Sequence, residues 1–297
     1  MAFVTGKRIA CVGGDARQLE MIRQFRAQGA DVITFGFDRA DLPGTAKGRF
    51  SPDALSGAEV LILPITGTDN EGHVKTAYAE DRLTLTREHL QALQPHALVI
   101  TGMARPYLSW LCSESSTRLV CLLDQDEVAI LNAIPTAEGA LAVVMKETPF
   151  TVHSSRTLVV GFGRVGMTVA RLFAQVGARV AVADRNRAKL ARAREMGLSI
   201  LPIGALREAV SDQQVVINTV PALVIDASVL DAMPKDVFLL DLASEPEGGT
   251  DFAYARRLGL HAQLAPSLPG LVAPQTAGQI LADVAMRIIT EDADGKP

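Results

Sequence analysis

Leu158-Val159-Val160-Gly161-Phe162-Gly163-Arg164-Val165-Gly166-Met167-Thr168-Val169-Ala170-Arg171 carries most of the architectural information in this chain. An apolar strand runs directly into Gly-x-Gly-x-x-Gly, and a helical pattern begins at once. A second apolar strand, Arg179 to Ala183, ends on Asp184, about twenty residues past Gly163. Strand, glycine turn, helix, strand and acid together make a dinucleotide-binding fingerprint in its required context. Gly161 permits the tight turn, Gly163 lets backbone approach a pyrophosphate, and Gly166 lets the helix pack on the strand. The helix N-terminus offers N–H groups and a positive dipole end to phosphate. The expected cofactor contacts here are Gly161, Phe162, Gly163, Arg164, Val165 and Gly166, with Asp184 and Arg185 at the ribose. Asp184 favours a free ribose hydroxyl, whereas Arg185 beside it suits a 2′-phosphate, so the cofactor is NADP or NAD, leaning to NADP. Arg187 reads as part of a solvated helix face.

Working outward, strands and helices alternate along all 297 residues, which predicts parallel sheets covered on both faces. Expected strands are Arg8–Val12, Asp31–Phe35, Val60–Pro64, Ala97–Thr101 and Leu119–Leu123, then Arg156–Val160, Arg179–Ala183, Ile200–Ile203, Val215–Val220, Val237–Leu242 and Ala262–Ala265. The first half resembles a flavodoxin-like or degenerate Rossmann domain. Thr66 to Asp81 is polar and glycine-containing, as functional loops are. A long apolar helical pattern covers Asp126 to Lys146 and is expected to be interrupted at Pro135. The last helix places Ala277, Ile280, Leu281, Val284, Ala285, Ile288 and Ile289 on one face, which must be buried. The expectation is therefore α/β: two doubly wound Rossmann-like domains, with the C-terminal helix returning to the N-terminal one. Residues 1–134 with 275–297 form the substrate-side domain and 135–274 the NAD(P)-binding domain.

Composition narrows the function. Hydrophobic content of 48% with only 5% aromatic residues suits Val/Leu/Ala-rich parallel strands. A net charge of −4 gives no electrostatic case for nucleic acid or an anionic membrane. Cys11, Cys112 and Cys121 lack metal-type spacing, so no metal is expected, and they read as reduced thiols of a cytosolic protein. No apolar run of membrane-spanning length and no signal peptide are read, so the expectation is a soluble, cytoplasmic protein.

Other segments carry chemical content. Thr219, Val220 and Pro221 close one expected strand of the second domain, and Leu242, Ala243 and Ser244 close the next. Both turns are expected to border the cofactor. Asp241 reads as a structural hydrogen-bonding residue. Gly13-Gly14-Asp15-Ala16-Arg17-Gln18 resembles a phosphate loop without its third glycine, and Arg17 suits bidentate capture of a carboxylate. Pro135 to Ala140 is expected to open a helix at the hinge, with Glu138 in its first turn. Pro266 to Pro274, including Ser267, reads as a rigid Pro-rich crossing. These three blocks are expected to line a substrate gap facing the fingerprint. Asp15, Arg17, Glu138 and Ser267 are the candidate catalytic residues, Asp15 and Glu138 being the acids. No histidine follows the last expected strand, which disfavours a 2-hydroxy-acid dehydrogenase with a late His–acid pair.

The chain resembles the family of dipicolinate synthase A subunits. The resemblance rests on Gly13-Gly14-Asp15-Ala16-Arg17-Gln18, Ile134-Pro135-Thr136-Ala137-Glu138-Gly139 and the Gly161–Thr168 fingerprint. Asp241-Leu242-Ala243-Ser244, Gly248-Gly249-Thr250-Asp251-Phe252 and the segment from Leu264 to Ile280 add to it, so it covers nearly the whole chain. Glu247 looks like an extra residue in that family's turn, and Asp184 stands where a neutral residue would be less NAD-like. The resemblance implies NAD(P)-dependent oxidation of a dihydrodipicolinate-type intermediate to dipicolinate during sporulation. It further implies a dicarboxylate substrate and a second, flavoprotein-like B subunit of dipicolinate synthase, and a homo-oligomer is expected. The rival readings are an amino- or hydroxy-acid dehydrogenase of related fold and a non-catalytic dinucleotide-sensing protein.

Overall fold

The computed structural model describes residues 4–243 and 248–293. The chain divides into two compact units, residues 1–131 with 273–297 and residues 132–272.

In the first unit, β1 (Arg8–Val12) leads into α1 (Ala16–Ala27) and β2 (Asp31–Phe35). There follow β3 (Ala46–Lys47), α2 (Pro52–Leu55), β4 (Val60–Ile62), β5 (His73–Val74), β6 (Leu83–Thr84), α3 (Arg87–Gln91), β7 (Leu98–Thr101), α4 (Pro106–Glu114) and β8 (Arg118–Cys121). The sheet is parallel, in the order β3-β2-β1-β4-β7-β8. Setting aside the separate β5–β6 hairpin, that is the two-halved 3-2-1-4-5-6 order of dinucleotide folds, not the flavodoxin-like one. The hairpin, pairing His73 with Thr84 and Val74 with Leu83, gives structure to much of the expected loop.

Helix α5 (Asp126–Glu147) is unbroken through Pro135, and the division between units falls within it. The expected interruption is thus corrected: Pro135 to Ala140 lie inside a helix and do not open one. Proline removes one N–H and costs about 3 kcal/mol in a helix interior. Burial of Val128 in the first core and of Ala137, Ala140 and Val144 in the second offsets that cost. The helix is also long and apolar enough by composition to span a membrane, with a mean hydropathy of 1.7, which corrects the expectation of no such run. Those buried positions are what its apolarity serves.

In the second unit β9 (Arg156–Val160), α6 (Arg164–Gln175) and β10 (Arg179–Asp184) form the fingerprint unit, followed by α7 (Arg187–Glu195), β11 (Ser199–Pro202) and α8 (Leu206–Ala209). Then come β12 (Val215–Asn218), α9 (Ala227–Leu230), β13 (Phe238–Asp241), α10 (Phe252–Arg257), β14 (His261–Leu264) and α11 (Leu268–Val272). The sheet β11-β10-β9-β12-β13-β14 is again parallel and of the same order. Its central strands are buried along nearly their whole length, as strands covered on both faces must be. The expected Pro-rich crossing contains α11, because Pro269 sits in a first helical turn, where its missing N–H costs nothing.

The last helix, α12 (Pro274–Ala293), belongs to the first unit. Leu281, Val284, Ala285, Ile288 and Ile289 share a core with Met21, Ile22 and Phe25 of α1. Each large side chain so buried is worth about 1.5–3 kcal/mol. The two helices approach closely at Gly278, where a Cβ would stand 2.5 Å from the Arg17 carbonyl oxygen and 2.7 Å from Glu20 Cβ.

Candidate cofactor site

The site is built at the carboxyl ends of β9, β10, β12 and β13. Gly161 turns the chain out of β9 with φ of 92°, and its N–H donates to the Ala183 carbonyl at 2.8 Å. A Cβ at Gly166 would overlap the Gly161 carbonyl oxygen, so the first turn of α6 can lie on β9 only with glycine there. Gly163 differs. It caps α6 with φ of −85°, and among the described residues nothing lies within 4 Å of the position its Cβ would take. Among the described residues no side chain caps α6. Among the described residues the helix therefore presents its N-terminal dipole end uncovered above glycine backbone, a cradle of the right chemistry for a pyrophosphate.

Asp184 is buried at the end of β10. Its Oδ2 accepts from Phe162 N–H at 2.7 Å and its Oδ1 from Asn186 N–H at 2.7 Å, with Lys189 Nζ 3.9 Å from Oδ2. The acid thus pins the fingerprint turn to the next strand, which its spacing alone does not reveal. Arg185 and Arg164 are exposed. Across β9, Thr219 Oγ1 donates to the Val160 carbonyl at 2.9 Å and lies 3.3 Å from the Gly161 carbonyl. Val220 is half-buried, Pro221 exposed, Leu242 half-buried and Ala243 buried. The structure thus gathers Gly161 to Gly166, Asp184, Thr219, Val220, Leu242 and Ala243 at one sheet edge. Ser244 and Glu247 lie outside the described residues. A recess of about 280 Å³ in this unit, lined by Arg156, Arg179 and Leu198, sits at the opposite, amino-terminal edge and takes no part in the site.

Sequence reading named Asp241 as a structural hydrogen-bonding residue, as it is, but missed the partners that make it a buried network beside these turns. Asp241 accepts from Ala243 N–H at 2.8 Å, Asn218 Nδ2 at 3.1 Å and Thr250 Oγ1 at 2.6 Å. The only sequence signals are single polar residues closing two apolar strands and the Gly248–Phe252 block.

The corresponding turn of the first unit is closed. Gly13 N–H donates to the Phe35 carbonyl at 2.9 Å, the counterpart of Gly161 to Ala183. A Cβ at Gly13 would stand 2.8 Å from Val74 Cγ1 and 2.9 Å from the Lys75 carbonyl oxygen. Gly14 N–H donates to that carbonyl at 3.0 Å, and Ala77 N–H donates to the Gly14 carbonyl at 2.9 Å. The chain's own residues Val74 to Ala77 fill the space over the turn. Asp15 caps α1 by accepting from Arg17 N–H, and the Arg17 guanidinium grips the same carboxylate through Nε at 3.0 Å and Nη2 at 2.6 Å. Burial pushes the Asp15 carboxyl up, but Arg17 outweighs it and holds the group below 3.8, with Lys75 adding to the effect.

Glu138 and Ser267 belong to the second unit, each exposed and each next to the contact where Leu268 packs on Gly139. Ser267 has φ of 59°, in the left-handed region. Among the described residues, Asp69, Glu71 and His73 bring donor atoms within 4.8 Å of one another. They are knotted together, Asp69 Oδ2 lying 2.9 Å from His73 Nδ1 and its Oδ1 accepting from two backbone N–H groups.

An open glycine turn and an uncapped helix on a two-halved parallel sheet define a dinucleotide-binding unit, and the chain's similarities to known proteins make the protein an NAD(P)-dependent oxidoreductase. Residues 138–245 match the NAD-binding domain of D-isomer specific 2-hydroxyacid dehydrogenases, and residues 8–123 match the N-terminal domain of the dipicolinate synthase A subunit. The chain is 42% identical over 291 residues to the dipicolinate synthase A subunit of Bacillus subtilis (strain 168), covering 97% of this chain and 98% of that protein. It is similar to the crystal structure of the dipicolinate synthase A subunit from Bacillus halodurans, with 43% identity, a TM-score of 0.93 and coverage of 96% and 98%. Against the Bacillus subtilis crystal structure the values are 41%, 0.93 and 99% of each chain. The chain belongs to the family of dipicolinate synthase A subunits.

Proposed function

We propose that this protein oxidises a dihydrodipicolinate-type ring to dipicolinate, working with the B subunit of dipicolinate synthase in the cytoplasm of a spore-forming cell and assembling as a homo-oligomer. The observation that carries this reading is the open Gly163 cradle in a chain of the dipicolinate synthase A-subunit family. The residues to hold NAD(P) are the Gly161–Gly166 turn, Asp184 and Arg185, and the turns at Thr219 to Pro221 and Leu242 to Ser244. Bound there, the cofactor supplies a hydride acceptor. Asp184 commits both oxygens to backbone N–H groups while Arg185 stands exposed beside it, which favours NADP over NAD.

The protein's own part is binding and proton transfer. Aromatisation of the ring drives the reaction, so alignment and removal of one ring proton are what the residues must provide. Arg17 takes a substrate carboxylate, since a dicarboxylate leaving water needs a permanent positive charge. Asp15, held ionised by Arg17, positions that guanidinium and is too weak a base to lead. Glu138, exposed and without an ion pair among the described residues, takes the proton, and the Ser267 hydroxyl donates to the substrate. The test is turnover of freshly prepared dihydrodipicolinate with NADP by wild type and Arg17→Met, with and without the B subunit. Loss of a charge-assisted contact of about 1.5–3 kcal/mol should raise the KM for substrate about ten- to a hundredfold. Unchanged substrate saturation in a folded variant that still binds the dinucleotide overturns the assignment.

A further inference from the structure

Asp241 is fully buried at the carboxyl end of β13, and among the described residues no cation pairs with it. The three groups that face it, Asn218 Nδ2, Thr250 Oγ1 and Ala243 N–H, are neutral donors, the set an ionised carboxylate accepts. A buried charge without a counter-ion is costly, and here three donors satisfy the carboxylate.

Its partners give that charge two effects. First, a carboxylate can only accept, so it fixes the Asn218 amide with Nδ2 towards Asp241 and Oδ1 away. That Oδ1 then accepts from Val220 N–H at 3.1 Å while Nδ2 also donates to the Val220 carbonyl at 3.2 Å, so both polar groups of Val220 are locked. Thr219, one residue earlier, is tied to the fingerprint strand through Val160. On the other side, Thr250 follows Gly249, whose carbonyl accepts from Val224 and Ile225 N–H at 3.2 and 2.9 Å. A Cβ at Gly249 would overlap the Asn218 amide, so the loop must come this close. One carboxylate therefore sets three segments at the edge of β12 and β13.

Second, the charge itself acts on whatever binds there. In a two-halved sheet the fingerprint half takes the adenosine side and the β12–β14 half takes the other mononucleotide, the one bearing the nicotinamide. The oxidised nicotinamide ring is a cation and the reduced ring is neutral. In a low-dielectric site a fixed anion acts over several ångströms with little screening.

We infer that Asp241 is a positioning residue of the cofactor site whose buried negative charge makes the protein hold the oxidised dinucleotide more tightly, relative to the reduced one, than its hydrogen bonds alone would. This rests on the reading that the carboxyl edge of this unit holds NAD(P). The experiment measures dissociation constants for NADP⁺ by calorimetry and for NADPH by its own fluorescence, in wild type and Asp241→Asn. Asparagine keeps the shape and one acceptor but removes the charge. The expected result is a loss of about tenfold for NADP⁺ against about twofold for NADPH. An equal change in both constants, or none, overturns the inference. Should wild type bind neither form, the cofactor reading itself falls. If Asp241→Asn does not fold, Thr250→Val keeps the charge and frees one of its bonds. Both constants should then rise together, about threefold, with their ratio unmoved, and unchanged constants overturn the positioning role.

Discussion

The first βα turn of each unit begins the same way, with a glycine whose N–H donates to the end of the neighbouring strand, Gly13 to Phe35 and Gly161 to Ala183. Beyond that bond the two diverge. In the second unit a glycine caps α6, and among the described residues no side chain covers the helix end or the space above Gly163. In the first unit Asp15 places a carboxylate at the N-terminus of α1, and residues 74–77 lie across the glycines. Strand order is identical, so topology does not make a phosphate site. Among the described residues, what separates the two turns is the space above the glycines and the anion at the helix end, the features that govern phosphate binding.

The sharpest way to break this contrast is a pair of variants. Gly163→Val fills the open cradle and should weaken dinucleotide binding at least about a hundredfold by titration, about 2.7 kcal/mol, without loss of thermal stability. Gly14→Ala, at φ of 117°, should lower the melting temperature and leave dinucleotide affinity unchanged. The reverse pattern would mean the wrong turn was chosen. Next in size is Gly278→Val, which forces α12 off α1 and should cost about 2 kcal/mol in chemical denaturation, confined to the first unit's transition. A smaller effect tests the ribose end: Arg185→Ala should weaken NADP about tenfold, about 1.4 kcal/mol, and NAD hardly at all. Equal losses would point to an NAD protein read through Asp184.

The smallest effect concerns the internal anion. Asparagine caps helices as well as aspartate, so Asp15→Asn removes chiefly the bond to Arg17. With Asp15 partly exposed, this is worth about 0.5 kcal/mol. Because the folded-state carboxyl is held below 3.8, that contribution is present above pH 3.8 and disappears as pH falls through the folded value. The stability gap between wild type and variant should therefore close on acidification, and a gap that persists would show the Arg17 contact to be idle.

Legibility in the sequence followed the range of the interaction. The strands Arg8–Val12, Asp31–Phe35 and Arg156–Val160 fall where apolar runs put them, and the α12 stripe announces its burial. The cofactor turn was legible because its backbone itself demands glycine, at the left-handed Gly161 and at Gly166 packed on the Gly161 carbonyl. The continuity of α5 through Pro135 was not, since local propensity argues for a break and two distant cores argue against it. Nor was the Asp241 network, whose members Asn218, Asp241 and Thr250 are separate single residues in the chain.

By itself, then, the sequence determined two α/β units, a dinucleotide turn at Gly161–Gly166 and the family to which the chain is similar. These depend on periodicity and local turn chemistry, which a linear string records. Only the tertiary structure decided that Gly13–Gly14 is closed by Val74 to Ala77, that Asp184 pins the turn, and that Asp241 stands buried among donors. Those outcomes depend on which distant segments fill the space above a strand end, and the exclusion of one body by another is a property of three dimensions.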